Sequence, residues 1–186
     1  MAIQLQPGDI IFGRKKGPIS IFIRLMIGPF PYSHVTIVAD PTDQVFTTGV
    51  GGKGRKTYGI FPASEFRKLP MQEYLANKDY VVCRYKNLTA QQRKDIVNWC
   101  EKRLGQKYPF KKSFRYLRLI LKAGGVPKVN MEPSRQHCWE MIAKAYQHAG
   151  IELNPRADNI DASGYDIKEI YLSPNLENIY LHNRRG

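Results

Sequence analysis

The chain has 186 residues, 42% hydrophobic and 24% charged, the balance of a soluble globular protein of one domain. Its 29 Lys and Arg against 16 Asp and Glu give a net charge of +13, which favours an anionic partner: an anionic cell-wall polymer, an anionic lipid surface or nucleic acid. No run of about 18 apolar residues is present, so no membrane-spanning helix is expected, and no zinc-finger spacing, RRM aromatic motif or basic zipper accompanies the charge, so specific nucleic-acid binding is not expected.

Residues 1–9 (MAIQLQPGD) carry no basic segment followed by an apolar stretch. A Sec-type signal peptide is therefore not expected, and the protein is read as cytoplasmic or released by another route. Pro7-Gly8 forms a turn, and Asp9 to Phe12 reads as a short strand entering the core. Ile19, Phe22, Ile23, Met26 and Ile27 recur at helical spacing, and Gly28-Pro29 ends that helix. Ser33 to Ala39 reads as a strand with His34 at its start. A turn at Pro41-Thr42-Asp43 leads to its antiparallel partner, Gln44 to Val50. Gly49 to Gly54 is a glycine-rich loop, and Thr57 to Phe61 reads as one more strand.

Asp79 to Tyr85 (DYVVCRY) has the β-branched and aromatic content of a strand. Thr89 and Gln92 form a capping box for a helix to about Leu104, with Ile96, Val97, Cys100 and Leu104 inward and Gly105 as the stop. Lys111 to Lys122 (KKSFRYLRLILK) reads as a basic, apolar helix. It is read first as a helix packed on the domain with its lysines outward, and second as a membrane-surface segment. His137 to Ala149 is a third helix, with Gly150 as its cap. Tyr165 to Tyr171 and Ile179 to Leu181 read as short strands, with a turn at Ser173-Pro174.

Three cysteines at unpaired spacing argue against a disulfide framework and fit a reducing compartment. No CxxC or HExxH is present, so neither a metal nor a cofactor is expected. Cys83 and Cys100 fit small buried hydrophobes, one in mid-strand and one on an inner helix face. Cys138 differs: it lies in a helix first turn, where the peptide dipole favours a thiolate. His34, at the start of a strand, can supply a base. His137 adjoins Cys138 but points elsewhere on the helix, His148 lies at its far end, and His182 is in the tail.

These residues fall in an order that resembles the circularly permuted papain-like branch of the NlpC superfamily, the YiiX/YaeF-like group related to lecithin:retinol acyltransferase. Pro7 to Phe12 resembles its opening "GD-apolar" strand, and Ser33-His34-Val35-Thr36-Ile37 its "SHVGI" motif. Leu104-Gly105-Gln106-Lys107-Tyr108 resembles "LGxxYD", His137-Cys138-Trp139-Glu140 resembles "YCSE", and Ser173-Pro174 resembles its "TP" segment. Trp139 stands where the motif has Ser, and Pro109 where it has Asp.

The resemblance implies an α+β, permuted papain-like (NlpC-like) fold: a small antiparallel sheet or open barrel packed on helices. It implies one domain over residues 1–186, with a basic helical insertion at about 107–128. It implies a cysteine hydrolase that cleaves an amide through an acyl-enzyme, with Cys138 as nucleophile and His34 as base, on a peptide or cell-wall peptide. The family's third residue is often Glu on the next strand. The stretch here, Val45 to Gly49, has no carboxylate; Thr47 is its nearest equivalent and Thr48 the next. A threonine hydroxyl orients an imidazole but does not stabilise imidazolium by charge. Two other readings stay open: a lipid-directed thiol acyltransferase or hydrolase using Lys111 to Lys122 at a membrane, and a catalytically weakened binding or structural component such as a phage virion protein.

Overall fold

The computed structural model describes residues 4–14, 30–40, 44–50, 57–58, 61–62, 64–76, 79–106, 138–153 and 167–182. The helix expected at 19–27, the loop residues 51–54, the basic helix at 111–122 within the insertion at 107–128, and His137 lie outside them.

Eight strands occur in chain order among the described residues: β1 (Ile10–Arg14), β2 (His34–Asp40), β3 (Gln44–Val50), β4 (Thr57–Tyr58), β5 (Phe61–Pro62), β6 (Ser64–Pro70), β7 (Asp79–Tyr85) and β8 (Leu176–His182). Helix α1 (Met71–Leu75) follows β6, α2 (Ala90–Glu101) follows β7, α3 is Cys138–His148 and α4 is Ile167–Tyr171. Six strands form one sheet in the order β6-β3-β2-β1-β7-β8, every neighbouring pair antiparallel. The α+β expectation, a small antiparallel sheet packed on helices, is met.

Strand alternation divides the core into two faces. Ile10, Phe12, Val35, Ile37 and Phe46 join Ile96 and Cys100 of α2 and Met141, Ile142 and Tyr146 of α3 in one apolar cluster. Ile11, Val38, Val45 and Val82 join Met71 and Tyr74 of α1 in another. The sheet is thus covered on both faces, and its central strands β1 and β2 are buried along nearly their whole length.

The turn before β1 is a junction. Gly8 has a φ of +88°, a conformation that a side chain strains. Its amide donates to the Val38 carbonyl at 2.9 Å, and the Val38 amide returns a bond to the Asp9 carbonyl at 2.8 Å. Tyr146 of α3 donates its hydroxyl to the Gly8 carbonyl at 2.5 Å. Asp9, fully buried, accepts from the Gln6 amide and takes both Nε and Nη2 of Arg84 at 2.9 and 2.7 Å. Arg93 of α2 donates to the Pro7 carbonyl at 3.0 Å. One turn therefore fastens β2, β7, α2 and α3 together.

Several expectations need correction. Tyr165 to Tyr171 is not a strand where it is described: Ile167 and Ile170 are buried one helical turn apart in α4. Thr57 to Phe61 is not one strand but two short ones, β4 and β5, paired with each other. Strand β6 and helix α1 occupy residues for which the sequence suggests no element. Leu104 is exposed rather than inward: α2 ends at Glu101, so the helical register stops before it. Trp99 takes the inward place instead, with the Arg103 guanidinium over its ring at 3.6 Å. Among the described residues no helix is long and apolar enough to cross a membrane, which bears on helices and not on strands.

Candidate active site

His34 is presented by a well-anchored approach. Tyr32 and Phe30 pack edge to face at 5.6 Å, and Tyr171 of α4 meets Phe30 at 5.3 Å and Phe12 at 5.2 Å. The Ser33 amide donates to the Gly13 carbonyl at 3.1 Å, which registers the loop on β1 just before His34 enters the sheet opposite Gly13.

Strands β2 and β3 pair through Ile37 and Phe46. Carried on, that register sets Thr47 one diagonal step from His34 across the ladder, within side-chain reach. The contact is made: His34 Nε2 and Thr47 Oγ1 are 2.9 Å apart, and both residues are buried, at 8% and 2% exposure. Thr47, the nearer equivalent on the following strand, is thus in contact with the imidazole. A hydroxyl accepting from Nε2–H leaves the lone pair on Nδ1, and one donating to Nε2 leaves the proton there; the contact fixes the orientation of the ring in either tautomer. Thr36, between them, donates its hydroxyl to the Phe46 carbonyl and locks the two strands.

Cys138 is the first residue of α3 and is 5% exposed. One junction relates α3 to β2. Tyr146 is tied through Gly8 to Val38, as described above. From Tyr146 back to Cys138 is eight residues, about 12 Å of helix. From Val38 back to His34 is four residues, about 13 Å of strand. Helix α3 packs on β2.

Tyr74 of α1 packs beside His34. Its ring centroid lies 5.9 Å from that of His34, tilted by 38°. Its hydroxyl is pushed above its ordinary value of 10.0 by burial first and then by negative charge on Cys138. The sequence offers no signal for Tyr74: it belongs to no motif, and its helix was not expected.

The other two thiols show what burial does without such a position. Burial pushes Cys83 from an ordinary 9.0 up to about 12, with Asp9 adding to the rise, and its thiol donates to Asn178 Oδ1 at 3.0 Å. Cys100 is pushed up as well, again by burial first. Glu140, buried in the first turn of α3, pairs with Lys144 at 3.2 Å and sits at the positive end of the helix dipole. Trp139 is partly buried and packs against the core.

Among the described residues no group of three or more His, Cys, Asp or Glu is gathered so as to hold a metal ion. A cleft of about 500 Å³ lined by Tyr85, Lys86, Glu152 and Asn175 opens at the far end of the sheet. It lies at the Ile10 end of β1, whereas His34 pairs at the Gly13 end, so it is not part of this site.

A family model described as permuted papain-like amidase enzyme, YaeF/YiiX, C92 family, matches residues 4–120. That span contains His34 and Thr47 and ends before Cys138. The crystal structure of metalloprotein YiiX from Escherichia coli O157:H7 is similar at a TM-score of 0.66, with 20% identity over 97% of this chain and 99% of that chain. No curated protein matches the sequence.

Proposed function

The chain belongs to the C92 family of permuted papain-like amidases and is a cysteine hydrolase, and from that premise we propose that Cys138 is its nucleophile, His34 its base and Thr47 the residue that orients the base. The observation that carries this reading is the buried 2.9 Å contact between His34 Nε2 and Thr47 Oγ1. It orients the ring so that Nδ1 can take a proton from the thiol.

In the reaction, Nδ1 accepts the Cys138 proton and the thiolate attacks the amide carbonyl carbon. A C–S bond forms, and the carbonyl electrons move to oxygen. Backbone amides of the first turn of α3 supply donors for that oxyanion. The C–N bond then breaks, and the amine leaves with the proton held by His34. Water, deprotonated in turn by His34, hydrolyses the thioester and releases the acid. The similar YiiX is described as a metalloprotein; the described residues gather no such ligand set, and no step here passes through a metal.

The substrate class proposed is a peptide amide, and the charge of +13 supports one carried on an anionic polymer such as a cell wall. The test is iodoacetamide labelling across pH, read for each cysteine by mass spectrometry. Cys138 should label well below about pH 8, where an ordinary thiol is mostly protonated. His34→Ala should slow it. Cys83, held protonated to about 12, should stay unlabelled in the folded protein. A Cys138 that reacts no faster than Cys83 and Cys100 overturns the reading.

A further inference from the structure

We propose that the rings of Tyr80, Tyr180 and His182 form a subsite of the thiol site, and that it takes an aromatic side chain on the residue that carries the leaving amine. The inference rests on the reading of Cys138 and His34 given above. Gly13 of β1 pairs with His34 of β2 on one side and with Tyr80 of β7 on the other, and Tyr80 pairs in turn with His182 of β8. Residues in register across antiparallel strands share a sheet face, so these residues form one row. Packing agrees: Tyr80 joins the cluster that holds Tyr74, whose ring lies beside that of His34. Gly13 has no side chain, so β1 places only backbone between the imidazole and Tyr80. The two residues stand two strand spacings apart, about 10 Å at the backbone.

The row changes character along its length. His34 is 8% exposed at one end; at the other Tyr180 is 39% exposed, and Tyr80 and His182 are half-buried. Tyr80 and His182 stack at 5.0 Å with their planes 21° apart, and Tyr180 lies 5.8 Å from Tyr80 and 6.4 Å from His182. Cross-strand pairing accounts for these contacts, but it leaves an aromatic patch that reaches solvent, on the row of the base. Such a patch receives a further ring in an offset or edge-on arrangement. The chemistry says which part of the substrate meets it. His34 gives its proton to the departing amine, so the leaving residue lies on the histidine's side of the scissile bond. The β3 flank of the imidazole is taken by Thr47 at 2.9 Å. The β1 flank is the one to which the sheet contributes no side chain, and a side chain laid over Gly13 there points at Tyr80.

The experiment is aminolysis of the acetyl-enzyme. p-Nitrophenyl acetate acetylates Cys138 with loss of p-nitrophenolate. An added amine then attacks the thioester carbonyl, its proton passes to His34, and the C–S bond breaks to release the N-acetyl amine and the thiolate. This step is acylation run backwards, so the attacking amine occupies the place of the leaving one. Phenylalaninamide and glycinamide at equal concentration should be captured in a ratio of roughly ten to one, the size of one aromatic contact. Mass spectrometry reads the two products, less those formed with Cys138→Ala. Tyr80→Ala should bring the ratio close to one, and Tyr80→Phe should keep it. A melting curve establishes that each variant is folded. Equal capture by the wild type, or a preference that survives Tyr80→Ala, overturns the proposal. A second measurement needs no thiol: in Cys138→Ala, phenylalaninamide should shift the His182 ring resonances and glycinamide should not. Resonances indifferent to both also overturn the subsite. A wild type that forms no acetyl-Cys138 is a different result, since it removes the thiol reading, while the His182 shifts still decide whether the rings bind an aromatic group.

Discussion

Thr47 gives His34 orientation without charge, and that sets the size of its contribution. A general base as a whole is worth about 10²- to 10⁴-fold in rate. Losing only its alignment forfeits part of that, so Thr47→Val should slow Cys138 alkylation at neutral pH roughly tenfold, with Thr47→Ser recovering most of the loss. Equal rates in the Val variant and the wild type would show that the 2.9 Å contact is not what aligns the ring. The contrast among the three thiols belongs to the same scale. All three are buried, but among the described residues only Cys138 stands at the N-terminal end of a helix; Cys83 lies mid-strand and Cys100 next to the last residue of α2. Position relative to the backbone dipole, rather than burial, separates a candidate nucleophile from two packing residues.

At the scale of elements, helix α2 starts where its cap says it should. Thr89 Oγ1 accepts from the Gln92 amide at 3.1 Å, and Gln92 Oε1 accepts from the Thr89 amide at 3.0 Å. Thr89→Ala should cost about 1 kcal/mol of stability, seen as a lower urea midpoint with an unchanged slope. Such reciprocal signals made α2 legible in the sequence, as β-branched and aromatic content made Asp79–Tyr85 legible to the residue. Strand β6 was illegible for the opposite reason. Its Glu65, Arg67 and Lys68 read as solvated chain, and only the fold supplies their setting: Lys68 pairs with Glu101 of α2 and lies over the Phe46 ring. Helix α4 is too short to display a period that outweighs strand alternation. The candidate site divides the same way. His34 and Cys138 announce themselves by element position and motif order, and Thr47 by its place on the following strand. Tyr74 meets His34 only through tertiary packing, which no local pattern encodes.

At the scale of the whole molecule, the turn at Gly8-Asp9 sets how helix α3 lies on β2, and hence where Cys138 stands relative to His34. Asp9→Asn would strip the buried partner from Arg84 and leave that guanidinium in a site built for a pair. Removing one member of such a pair costs about 3–5 kcal/mol. The lower end is expected here because Arg84 keeps some contact with water. Urea denaturation checks this, and a loss below about 1 kcal/mol would mean that Arg84 and Arg93 find other partners. Because the junction lies about 12 Å along α3 from the thiol, the variant should also lower Cys138 reactivity while touching neither reacting group. Chain order adds a consequence for synthesis. The strand with His34 and the strand with Thr47 leave the ribosome early, and the helix with Cys138 leaves only after both. If Cys138 and His34 form the proposed pair, the base is made before the thiol, and the pair is complete only once α3 docks with Tyr146 on Gly8. On that reading, docking of one late helix is the step that completes the site.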